Sequence, residues 1–103
     1  MPWNIINNLE EVIFYDDLNE DDIILDVRTI MKYQMGHIDG SINISVDVLR
    51  TRIDKLNHYK DQTVNVMCAV GLRAHVASMI LRNLGFKVRN ISGGYHTYIT
   101  KHN

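Results

Sequence analysis

Short apolar runs and segments of helical period take turns along this chain. Residues 12–15, 23–26, 42–44, 64–68 and 88–91 are brief, apolar and mostly rich in β-branched side chains, as strands are. Between them, Leu49, Ile53 and Leu56 recur at helical spacing from Val46, while Arg50, Arg52 and Lys55 point elsewhere. Ser45 stands at the N-cap of that amphipathic helix, and Asp47 in its first turn meets the positive end of the helix dipole. A stronger stripe follows in Val76, Ala77, Ile80, Leu81 and Leu84, with Arg82 and Asn83 on the wet face and Gly85 where a left-handed C-cap belongs. Residues 29–35, 94–100 and 3–9 add three shorter helices. Strands interleaved with helices predict an α/β fold, a mostly parallel five-stranded sheet flanked by helices on both faces.

Nothing along the chain divides it. The only proline is Pro2, and the six glycines are spread as punctuation, so residues 1–103 read as a single domain. Eleven basic against twelve acidic residues leave a net charge of -1, which offers no surplus of cations for nucleic acid or an anionic membrane. Cys68 is the sole cysteine, so no internal disulfide forms. The longest apolar runs fall far short of a bilayer span, and the first residues lack the pattern of a signal peptide. A cytoplasmic protein is expected. None of the five histidines, at 37, 58, 75, 96 and 102, stands four residues from another, and no metal is expected.

Chemistry concentrates after the strand ending at Cys68, where Ala69, Val70, Gly71, Leu72 and Arg73 lead into the striped helix. A loop joining the carboxyl end of a parallel strand to a helix turns backbone N–H groups inward, and their partial positive charge favours an anion at the centre. A thiolate placed there is favoured, and Arg73 adds a permanent cation. Gly71 supplies backbone freedom for the tight curl. The plainer alternative makes Cys68 a small buried hydrophobe at a strand end. The concurrence of strand, cysteine, glycine, arginine and helix within one short segment favours the reactive thiol.

The segment from Cys68 to Arg73 resembles the active loop of a rhodanese domain, the sulfurtransferase fold. Leu25-Asp26-Val27-Arg28, Gly36-His37-Ile38-Asp39-Gly40-Ser41-Ile42-Asn43-Ile44 and Ser92-Gly93-Gly94-Tyr95 resemble the other signature segments in the family's order. The active loop, residues 88–95 and Phe14-Tyr15-Asp16-Asp17-Leu18 are most similar to the rhodanese domain at the carboxyl end of coenzyme A-disulfide reductase-like flavoproteins. Asp39 and Ser45 replace prolines common among relatives, and Tyr98 stands where an aromatic, often tryptophan, closes the last helix. The chain lacks a Gly-x-Gly-x-x-Gly segment and has no room for a flavin domain, so a stand-alone relative or an excised domain is expected.

The resemblance implies that Cys68 carries sulfur as a persulfide, with residues 69–73 as the substrate-binding loop and Asp26 anchoring that loop through hydrogen bonds. It implies that Arg28 is a structural ion-pair partner tying the sheet to the next helix. His37 belongs to a turn, where a satisfied structural role outweighs that of a base. His75, in the first turns of the helix, is expected to be solvated. The implied function is a sulfurtransferase that takes sulfane sulfur from polysulfide, a low-molecular-weight persulfide or thiosulfate and passes it to a thiol or cyanide. No cofactor follows, and a partner flavoprotein or acceptor protein is compatible with the cycle. A cysteine phosphatase or arsenate reductase would place five residues before the arginine, whereas four separate Cys68 from Arg73 and Ala74 fills the later place. The alternative from another class is a noncatalytic or regulatory binding module on the same fold.

Overall fold

The computed structural model describes residues 12–68, 72–92 and 95, with only the backbone of Leu72 and Arg73. The expected helices at 3–9 and 94–100 therefore lie outside the described residues, apart from Tyr95. Five strands form one sheet: β1 (Val12–Ile13), β2 (Ile23–Asp26), β3 (Ile42–Asn43), β4 (Thr63–Met67) and β5 (Lys87–Ile91). Their order is β1-β5-β4-β2-β3 and every pairing is parallel. Central strands of such a sheet are covered on both faces, which is why they read as unbroken apolar runs in the sequence.

The pleat sorts those runs into two cores. Leu25, Val27, Val64, Val66 and Cys68 meet Leu49, Leu56, Ala74, Ala77 and Leu81 on one face. Met67, Ile13 and Ile91 turn to the other, where Ile38, Tyr15, Leu18 and Tyr95 cover them. The first face is roofed by α2 (Leu72–Asn83) and by a 3₁₀ segment, Val46–Tyr59.

That 3₁₀ segment replaces the amphipathic α-helix expected there. Its path breaks at Arg52 (φ -118°, ψ 20°), and i→i+3 bonds such as Val48 N–H to the Ser45 carbonyl (3.0 Å) tighten its turns. Asp47, Thr51, Asp54, Asn57 and His58 are weak helix formers, and the Thr51 hydroxyl donates to the Val48 carbonyl at 2.8 Å. Burial still follows the predicted apolar positions, since Leu49 and Leu56 are wholly enclosed.

In α2 the buried face is rotated from the expected stripe. Ala74, Ala77, Ser78, Ile80 and Leu81 face the sheet, whereas Val76 is 47% and Leu84 41% exposed. The inward turn of a serine is permitted because its hydroxyl lies within hydrogen-bond reach of both the Ala74 carbonyl and Asn90 Oδ1. The helix ends as expected: Gly85 adopts φ +94°, its N–H bonds the Arg82 carbonyl, and the Phe86 N–H reaches back to Leu81. This is a Schellman motif.

Two smaller differences arise at strand ends. Strand β1 stops at Ile13, because the Asp17 N–H bonds the Phe14 carbonyl and starts a 3₁₀ turn, Tyr15–Asp17. Helix α1 (Ile30–Met35) begins one residue inside the expected 29–35, with Thr29 as its N-cap, and buries none of its residues. No helix among the described residues is long and apolar enough to cross a membrane.

Candidate active site

The chain leaves β2 toward β3 on one side of the sheet and leaves β4 toward β5 on the other, so the strand order reverses between the adjacent strands β2 and β4. Open parallel sheets bind ligands in the crevice outside the carboxyl ends of strands at such a switch point. Cys68 follows β4 immediately, and Val27 and Arg28 follow β2, so the sequence's candidate nucleophile emerges beside the Asp26–Arg28 segment. The pairing Asp26↔Met67 ends the ladder one residue short of Cys68, and the Val27 N–H extends it by donating to the Met67 carbonyl at 2.9 Å.

Cys68 is 1% exposed and belongs to the first core with Val27 and Ala74. Helix α2 starts four positions later, so its amino terminus opens directly after the cysteine's loop. Ala69, Val70 and Gly71, and the side chains of Leu72 and Arg73, lie outside the described residues.

An ion pair holds the neighbouring strand end. Arg28 donates from Nη2 to Asp26 Oδ2 at 2.7 Å and from Nε to Oδ1 at 3.0 Å, while its backbone N–H donates to the same Oδ1 at 3.0 Å. Both residues are buried. Arg28 Nη2 also donates to the Gly36 carbonyl at 2.8 Å, which ties the sheet to the end of α1 as the resemblance implied. Among the described residues, the hydrogen bonds of the Asp26 carboxylate go to Arg28.

Tyr95 completes the group. Its ring lies 3.9 Å under the Arg28 guanidinium, and its backbone N–H donates to the Cys68 carbonyl at 2.6 Å. Gly36 is needed for this close approach, since a β-carbon there would stand 2.7 Å from Tyr95 Oη. Nothing in the spacing of residues 28, 36 and 95 along the sequence brings them together, so this contact was not legible there. Asn43 locks the same corner by donating to the Asp26 and Arg28 carbonyls, each at 3.0 Å.

His37 is a structural residue, with its ring stacked on Tyr33 at 3.7 Å and Nδ1 2.7 Å from the Tyr33 carbonyl oxygen. His75 is half-buried in the first turn of α2 rather than fully solvated. Among the described residues, no three His, Cys, Asp or Glu side chains cluster as a metal site.

Residues 8–101 match the Rhodanese-like domain, and the chain belongs to that family of sulfurtransferase-type folds. The resemblance to the flavoprotein-linked branch is borne out by a crystal structure of reduced CoADR-RHD from Bacillus anthracis, 30% identical with a TM-score of 0.84. That match covers 95% of this chain and 18% of the other. A NAD-dependent persulfide reductase from A. fulgidus is 36% identical with a TM-score of 0.75, covering 91% of this chain and 17% of its own. Among curated proteins, the tRNA uridine(34) hydroxylase of Buchnera aphidicola subsp. Baizongia pistaciae is 31% identical over 91% of this chain. The chain spans about 30% of that relative's length.

Proposed function

We infer that this domain is a sulfurtransferase in which the Cys68 thiolate attacks the outer sulfur of a donor. The donor's S–S bond breaks, its remainder leaves with the electron pair, and Cys68 holds the sulfur as a persulfide until a thiol or cyanide removes it. The observation that carries this reading is the place of Cys68, at the switch point of the sheet and immediately ahead of the α2 amino terminus. Residues 69–73 would cradle the persulfide, with Arg73 attracting an anionic donor, and Asp26 would support that loop. The cycle needs no cofactor. Burial of the sulfur suits an intermediate that water and stray thiols would otherwise discharge.

One structural neighbour is named a NAD-dependent persulfide reductase, a name that fits a persulfide as the donor here. The curated relatives are named for an enzyme acting on tRNA, yet a net charge of -1 favours small partners here over nucleic acid. A cytoplasmic location agrees with a working single thiol.

The test is an intact mass of the native protein after parallel exposure to thiosulfate, polysulfide and coenzyme A persulfide, followed by cyanide. The reading requires one retained sulfur atom on Cys68 that cyanide releases as thiocyanate. A second reading, a noncatalytic binding module, is favoured by the cysteine's 1% exposure and apolar company. It prevails if no donor loads Cys68 under native conditions.

A further inference from the structure

The net charge of -1 conceals an uneven distribution. No lysine, arginine or histidine precedes Arg28, whereas eight of the twelve acidic residues do. Part of that acidic stretch borders a groove of about 360 Å³ whose lining includes Leu18, Ile24 and Ile38 together with Asp16, Glu20 and Asp39. Ile38 is buried and Leu18 and Ile24 are half-buried, so these three form the floor, while the three exposed carboxylates form the rim. The floor belongs to the second core, on the face of the sheet away from α2. The loops that line the groove precede β2 and β3, so it opens at the amino ends of these parallel strands, whereas Cys68 stands at the carboxyl end of β4.

An apolar floor inside a polar rim is the anatomy of a protein docking site, and the sign of the rim selects the occupant. Glu20 and Asp39, with Asp17 and Asp21 in the same stretch of surface, make no ion pair among the described residues. An anionic partner is repelled by these carboxylates, and a small cation makes no use of the floor. We propose that the groove docks a basic polypeptide segment, one apolar side chain seated over Leu18 and Ile24 between lysines or arginines that meet Glu20 and Asp39. This interaction goes beyond sulfur transfer and does not depend on it, because a partner held at the amino ends of the strands leaves the Cys68 end of the sheet free.

The experiment measures, by fluorescence anisotropy with the full chain, the binding of a capped peptide with a leucine flanked on both sides by arginines and lysines, and of its counterpart with serine at the centre. Wild type is expected to bind the leucine peptide about tenfold more tightly, with an affinity that falls as salt is raised. Glu20→Lys/Asp39→Lys should weaken that binding by about tenfold or more. Asp47→Lys/Asp54→Lys makes the same change of net charge on the 3₁₀ segment over the other face, and should stay within about twofold of wild type. Equal weakening by the two double variants would reduce the effect to overall charge and overturn the proposal. Equal affinity for the two peptides would do the same, since that is how a surface for small cations behaves. A second measurement needs no variant: the methyl resonances of Leu18, Ile24 and Ile38 should shift saturably with the leucine peptide, and resonances that stay fixed while it binds place it elsewhere and overturn the proposal. Sedimentation without peptide is expected to show a single chain, and self-association abolished by Glu20→Lys/Asp39→Lys would give the groove to a second copy instead and overturn the basic partner.

Discussion

A guanidinium buried against a carboxylate is stable only while both partners are present, and Arg28 is the side chain on which three separate contacts converge. Arg28→Met leaves Asp26 charged and enclosed, and is expected to cost roughly 3–5 kcal/mol in urea unfolding, whereas the double variant Asp26→Asn/Arg28→Met should recover part of that loss. A double variant as unstable as the single one would show that the pair's worth lies in the Gly36 and Tyr95 contacts instead. Cys68 packs in the first core with Val27 and Ala74. Cys68→Ser is expected to stop sulfur uptake while leaving the fold intact, since a hydroxyl cannot become a persulfide. Cys68→Ala should stop uptake too, so mass spectrometry and unfolding on the two variants together separate chemistry from packing. At this scale the position of Cys68 at a strand end and the ion pairing of Arg28 were legible, because both depend on near neighbours in the sequence. It was silent about the Arg28–Tyr95 stack, because a contact between distant positions leaves no mark on either one's immediate sequence.

Helix α2 shows where pattern reading succeeds and where it slips. Its end was legible, because a glycine after the last apolar turn satisfies two orphan carbonyls in a geometry few other residues adopt. Gly85→Ala, which forces a β-carbon into φ +94°, should cost roughly 1 kcal/mol by thermal or urea unfolding, and an unchanged midpoint would contradict the strained-cap account. The buried face was misplaced by about one position because Ser78 counts as polar in any hydrophobicity pattern, while its pairing with Asn90 makes it a core residue. Ser78→Ala is expected to cost about 1–2 kcal/mol, since it removes a buried hydrogen bond between the hydroxyl and the Asn90 side chain. The 3₁₀ path of Val46–Tyr59 was hidden for a related reason: an i, i+3, i+4 stripe reports which residues turn inward, not how tightly the backbone winds.

For the molecule as a whole, the interleaving of strands and helices along most of the chain was enough to specify a parallel α/β sheet. The order of the strands was not legible, because it depends on which side each crossover takes. A sheet whose strands pair across long stretches of sequence folds slowly for its size, in milliseconds to seconds. With Met1–Pro2 as the only prolyl bond and Pro2 well ahead of β1, stopped-flow refolding should lack a proline-limited phase of roughly 10–100 s. Among the described strands, β1 pairs with β5 alone, and β5 is the last to be made. On the ribosome, the first strand to emerge must therefore wait, with Val12 and Phe14 uncovered, until nearly the whole domain has been synthesised. A chain stalled before Lys87 would display an apolar segment with no strand to dock on, a state that chaperones and proteases are equipped to detect.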